Sequence, residues 1–177
     1  VTRTLRSLLL LCLMLFVSCQ KKPKHSMHVV FGTGADDQMT ASIESAYAEY
    51  VEVPGVGNTL TITLASYDLP CGAFVSPGEN RVLASVVIGS PPGAPPGTGD
   101  YVWTGRTEGR YAMPSLRIGT KRHGFPPGGT LNLTQVDLAK EGRVAGLLSF
   151  TFPGDAKEPP KSLTGSFEAR LCSPPPA

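Results

Sequence analysis

From Thr59 to Leu64, threonine alternates with Leu60, Ile62 and Leu64, making one face apolar and the other polar. A period of two belongs to a strand, because successive side chains of an extended backbone point to opposite faces. The same period returns towards the C-terminus. Val144, Gly146, Leu148, Phe150 and Phe152 share one parity, and so do Leu163, Gly165, Phe167, Ala169 and Leu171. Segment 153–161 between them is turn-rich, which predicts a hairpin. A glycine within each strand marks a bulge or the close approach of another element. Gly and Pro punctuate the chain throughout, and no secure long helix interrupts the strands.

Shorter signals fill in the rest. Residues 28–31 are β-prone, and a turn cluster follows at Gly32-Thr33-Gly34-Ala35-Asp36-Asp37. Segment 40–53 is ambiguous. Ile43, Ala46, Tyr47, Tyr50 and Val51 lie at helical spacing, whereas Ile43, Tyr47, Val51 and Val53 share strand parity. Its Tyr, Val and Thr content and its β neighbours favour a strand. Residues 81–88 are apolar on both faces, as in a central strand, and 90–99 form a Pro/Gly loop. Residues 101–103, 115–118 and 130–136 are further short strands. Eight or nine strands at this spacing predict an all-β fold, an antiparallel β-sandwich or flattened barrel.

A different kind of segment precedes this domain. Arg3 and Arg6 are followed by an apolar run over 8–17, and Ser18 precedes Cys19. These are the three parts of a cleaved signal helix. The run is about 15 Å long as a helix, half of the roughly 30 Å hydrocarbon core, and too short to span it. Leu15-Phe16-Val17-Ser18-Cys19 resembles the lipobox of bacterial lipoproteins, with Phe16 where leucine is usual and Leu15 one step further back. The resemblance implies a diacylglycerol on the Cys19 thiol, cleavage before Cys19 and anchoring to a membrane through lipid. Gln20, where aspartate would favour the inner membrane, leans towards the outer membrane. The alternative is an ordinary secretory signal with a chance cysteine. Val1 fits a GTG start codon translated literally, or a fragment. The expected organisation is a signal peptide over 1–18, a lipidated tether over 19–26 and the β domain over 27–177.

With Arg3 and Arg6 gone, basic and acidic residues balance at fourteen each. That balance gives no footprint for a nucleic-acid partner. Cys12 leaves with the signal and Cys19 takes lipid, so Cys71 and Cys172 remain. In an oxidising compartment they are expected to pair. A free thiol pair and metal ligation are the alternatives, and metal-site spacing is lacking. Cys71 falls in the loop after strand 60–64 and Cys172 at the end of the last strand, so the bridge would close one end of the domain. Segments 60–71, 144–152 and 163–172 resemble recurrent segments of small bacterial β-sandwich lipoproteins. In these the last strand ends in a Gly-Ser-Phe-x-Ala motif and a cysteine, here Gly165-Ser166-Phe167-Glu168-Ala169 before Cys172. That resemblance is structural and implies no activity or ligand.

Signals for chemistry are sparse. No serine sits in a Gly-x-Ser-x-Gly elbow, and Gly32-Thr33-Gly34 is not followed by Gly-Lys-Ser/Thr. Asp36 and Asp37 lack the ligand ladder of a calcium loop, and His25 and His28 lack a third ligand. The expectation is a protein that is not an enzyme and holds no metal or cofactor. One candidate binding surface stands out. Tyr101, Trp103, Arg106, Arg110 and Tyr111 fall within one expected hairpin, followed by Lys121, Arg122, His123 and Phe125. Aromatics interleaved with arginine suit an anionic polysaccharide or a partner protein. The simpler reading, in which Trp103 and Tyr111 anchor the core and the charges are solvated, is the preferred one. The leading expectation is a lipid-anchored, non-enzymatic cell-envelope protein with a structural or protein-interaction role. A binding module for an envelope glycan comes second and an unrecognised hydrolase third.

Overall fold

A computed structural model describes residues 28–31, 39–53, 57–73, 75–107, 109–154 and 159–172. The expected signal peptide, Cys19 and the tether lie outside the described residues. Among the described residues there is no helix. The strands are β1 (His28–Phe31), β2 (Met39–Ser42), β3 (Ser45–Val53), β4 (Gly57–Ala65) and β5 (Val82–Ser90). They continue with β6 (Gly99–Trp103), β7 (Tyr111–Ile118), β8 (Lys121–His123), β9 (Gly129–Val136), β10 (Arg143–Phe152) and β11 (Lys161–Leu171). The ambiguous segment at 40–53 is extended, in two pieces.

The hydrogen-bonded path runs β6-β9-β10-β11-β3-β4-β5-β7-β8, with the β1–β2 hairpin set against β11. This nine-strand sheet curls into a flattened half-barrel around one core. Its inward residues include Leu60, Ile62, Leu64, Ile88, Leu116, Leu131, Phe150 and Leu163, all essentially inaccessible. The alternation read from the sequence sets these faces. In β10, Val144, Gly146, Leu148, Phe150 and Phe152 are all buried while their neighbours are half-buried or exposed.

β11 is the corner of the fold. Its first residues, Lys161 to Thr164, pair antiparallel with β1. Its last, Arg170 and Leu171, run parallel to Tyr47 and Ala48 of β3. The Cys172 N–H extends this junction by donating to the Ala48 carbonyl at 2.7 Å. On the opposite side of the curl, β6 lies against β7 without a ladder between them.

The expected hairpin around 101–111 is therefore not formed. β6 pairs with β9, while β7 pairs with β5 over eight residues, from Val82↔Ile118 to Gly89↔Tyr111. The longer ladder prevails because it buries Ala112 and Leu116 beside the inward face of β5 and satisfies backbone groups along a whole strand. Residues 121–123, expected in a basic loop, form the short edge strand β8.

The two strand glycines have separate causes. β9 carries one extra residue, Thr134, where its register against β10 shifts between Ala145 and Gly146. There the backbones crowd so closely that a Cβ on residue 146 would lie 2.3 Å from the Asn132 carbonyl oxygen. Gly165 instead has φ of 138°, a conformation closed to L side chains.

Only part of the predicted polar face of β4 keeps contact with solvent. Thr59 and Thr61 are half-buried, but Thr63 is 8% exposed, because segment 66–73 turns back across the outside of the sheet. Tyr67 and Leu69 from that segment pack with Tyr47, Ala65 and Leu83 as a second, smaller core. Hydrogen bonds seat the lid. The Tyr47 hydroxyl donates to the Ala73 carbonyl (3.1 Å), the Tyr67 hydroxyl to the Val75 carbonyl (2.8 Å), and the Leu69 N–H to Ser45 Oγ (3.0 Å). The Cys71–Cys172 disulfide, with Cα atoms 5.8 Å apart, ties the lid to the end of β11.

Burial pushes the hydroxyls of Tyr47 and Tyr67 above the ordinary tyrosine value of 10.0. At Tyr47 the hydrogen bond with Thr63 works against that rise and the Glu49 charge adds to it. At Tyr67 the neighbouring Tyr47 adds to it and Arg81 opposes it. The folded state thus holds these protons more tightly than the unfolded chain. Their contribution to stability is intact below about pH 10 and is lost as pH rises through the raised values. Thermal melts between about pH 8 and about pH 11 should show a decline that starts near pH 10. The decline should be shallower in Tyr67→Phe than in the native chain; equal slopes would show that Tyr67 does not contribute.

Candidate functional site

The residues of the candidate recognition surface divide between the core and the exterior, and Trp103 is a core anchor, as the preferred reading had it. Tyr101 is fully buried. Its hydroxyl accepts from the Gly97 N–H (3.0 Å) and donates to the Gly97 carbonyl (2.8 Å). The Arg110 guanidinium lies over the Tyr101 ring at 4.4 Å and donates to the Thr98 carbonyl at 3.2 Å. Arg110 therefore clamps the loop before β6 at the seam where β6 meets β7. Trp103 is 5% exposed and its Nε1–H donates to the Pro126 carbonyl at 2.8 Å. These two aromatics hold the fold together and offer no ring face to a ligand. Tyr111 is half-buried, with its ring lying where a side chain on Gly89 would go. Arg106 is exposed on the connection between β6 and β7.

Arg122 and Phe125 stay together on the outside, next to the exposed Lys121. Phe125 is 49% exposed, and its ring centre is 5.8 Å from that of Trp103. The Arg122 guanidinium stacks over Phe125 at 5.7 Å. This pair belongs to a larger arrangement that the register creates. Arg117 of β7 stands directly opposite Leu83 of β5 on one side and Arg122 of β8 on the other. Residues paired in this way share a face, so Arg117 and Arg122 are on the outer face that carries Leu83. Arg81 joins the same face. The Gly119 N–H donates to the Arg81 carbonyl (2.9 Å), and the Arg81 guanidinium lies 5.4 Å over the Tyr67 ring of the lid. Three arginines thus follow one another across the outside of the sheet towards its β8 edge, with aromatic rings beneath the two outer ones.

Arg81 and Arg117 were not among the residues expected to act. One signal was present: Ile118-Gly119-Thr120-Lys121 is a two-residue hairpin turn, with Gly119 at φ of 57°. Reading it as a turn places Arg117 opposite Arg122. No local pattern places Arg81 beside them, because that depends on the β5–β7 pairing.

A second concavity lies beside the disulfide. It is an open groove of about 580 Å³, bordered by Tyr47, Leu69, Cys71 and Cys172. Glu44, Lys140, Glu141 and Arg170 add charges of both signs, and Arg170 pairs with Glu141 at 3.3 Å. Among the described residues, no three His, Cys, Asp or Glu side chains converge as a metal site. The groove therefore combines an apolar floor with a charge-balanced rim.

No protein-family model matches this chain, and no curated protein or solved structure matches it either.

Proposed function

We propose that this chain is a lipid-anchored, non-enzymatic cell-envelope protein with a structural or protein-interaction role, favouring the outer membrane. The observation that carries this reading is the order of the first residues: Arg3 and Arg6, an apolar run too short to span, and Cys19 after Ser18. Two or more acyl chains at Cys19 make a stable anchor. A Cys71–Cys172 bridge is compatible with an oxidising compartment outside the cytoplasm.

Cys19→Ser in the producing cell should leave the precursor uncut and without lipid. Normal processing and membrane retention of that variant would overturn the proposal. For the interaction role, extraction in detergent should bring down a stoichiometric protein partner.

The exposed Arg122–Phe125 stack favours a second reading, in which the domain binds an envelope glycan. Phe125→Ala tests it, since it removes the half-exposed ring while leaving the Trp103 anchor in place.

A further inference from the structure

We propose that the Cys71–Cys172 bridge is a reversible thiol–disulfide switch. An external dithiol attacks it at Cys71 in the folded chain and thereby releases the lid at 66–73. This goes beyond the anchoring role and does not depend on it.

Accessibility supplies the first support. Cys71 and Gly72 are the two tip residues of a tight turn, closed by the Ala73 N–H donating to the Pro70 carbonyl at 3.1 Å. Gly72, with φ of 72°, fills the left-handed position that a type II turn needs. Both tip residues are exposed, whereas Cys172 at the end of β11 is half-buried. The open groove of about 580 Å³ is bordered by both cysteines and gives an incoming thiolate room to approach. Exposed bridges exchange readily, while sheltered structural ones resist reduction.

The exchange has two steps. A thiolate of the dithiol bonds to Cys71 Sγ as the Cys71–Cys172 bond breaks, and Cys172 leaves as a thiolate that takes a proton from water. The second thiol of the reagent, deprotonated, then attacks the reagent sulfur in that mixed disulfide. Cys71 is released and protonated in turn, and the dithiol, having given up two electrons, becomes a disulfide.

The second support is that the lid covers a core of its own. Tyr47, Ala65, Tyr67, Leu69 and Leu83 form a cluster separate from the main one. The lid can therefore open as a local unit while the main core stays closed. Opening uncovers Tyr47, Ala65 and Leu83, an apolar face that the oxidised chain hides. Two adjacent residues of β3 guide the return. The Tyr47 hydroxyl holds the carbonyl of Ala73, two residues after Cys71, and the Ala48 carbonyl holds the Cys172 N–H.

The test uses the purified full chain in detergent, without denaturant and with dithiothreitol as the dithiol. Alkylation read by mass spectrometry at the Cys71 and Cys172 peptides follows reduction, and hydrogen exchange follows the lid. The reduction rate should be insensitive to urea below the unfolding transition. Glutathione, a monothiol, should leave its mixed disulfide on Cys71 in preference to Cys172. In the reduced chain, exchange should rise at 66–73 while β10 and β11 stay protected. Oxidised dithiothreitol should restore the lid, about fivefold more slowly in Tyr47→Phe.

A reduction rate that climbs steeply with urea would overturn the proposal, because the bridge would then open only on global unfolding. So would a glutathione adduct that favours Cys172. Unchanged exchange at 66–73 after reduction, or lost protection in β10 and β11 along with it, would likewise overturn the switch.

Discussion

Cys71→Ser or Cys172→Ser should lower the unfolding free energy by about 2–5 kcal/mol, seen as a shifted midpoint in chemical denaturation. The bridge closes a loop spanning 101 positions, so in the chain-entropy account most of the loss comes from freeing the unfolded chain. A local effect should accompany it. Cys71 lies in the lid segment and Cys172 beside the parallel β11–β3 junction, which has only two paired positions, Arg170↔Tyr47 and Leu171↔Ala48. Without the bridge, only packing and hydrogen bonds hold the lid over Tyr47, Ala65 and Leu83. Hydrogen exchange at residues 66–73 should rise before exchange in β10 and β11. A loss below about 1 kcal/mol would show that the bridge is not a main support of the fold.

Trp103→Ala should cost about 3–5 kcal/mol, as expected for emptying a large buried aromatic site. The Trp103 ring is 5% exposed and neighbours Phe125, while its N–H satisfies the Pro126 carbonyl. Trp103→Phe separates the two contributions. It keeps much of the packing but leaves the Pro126 carbonyl without this donor, a loss of about 1–3 kcal/mol. Phe125→Ala, at a half-exposed position, should cost less than either. Chemical denaturation of the three variants checks the ranking; a Trp103→Ala variant as stable as Phe125→Ala would contradict it. The order matters for function as well. Lost ligand binding in Trp103→Ala would report a damaged fold, whereas lost binding in Phe125→Ala or Arg122→Ser would report a damaged surface.

Several elements were legible from local pattern. The period-two runs at 59–64, 144–152 and 163–171 named the inward faces of β4, β10 and β11, since strand side chains alternate whatever the partner. The doubly apolar run at 81–88 became β5, which lies between β4 and β7 and is buried over most of both faces. Less of the candidate site could be read. Tyr101, Trp103 and Arg110 matched the composition of a recognition surface, yet in the fold they are two buried anchors and a clamp. The pattern of aromatics and arginines is the same in both roles. What separates them is whether another layer covers the rings, and that depends on strands distant in sequence.

The sequence by itself determined the all-β class, the inward faces and the β10–β11 hairpin, because strand periodicity and turn composition act over a few residues. The Cys71–Cys172 bridge was an expectation, resting on the reading of Cys12 and Cys19 as parts of a signal and an anchor, and the fold brings the two residues together. The tertiary structure alone decided that β11 turns a corner onto β3, that β6 and β7 part company, and that segment 66–73 covers the outer face of β4. It alone set Arg81 alongside Arg117 and Arg122. Each of these depends on partners many residues apart, where the winner is the pairing that buries most apolar surface and leaves fewest backbone groups unsatisfied. No single stretch of sequence carries that comparison.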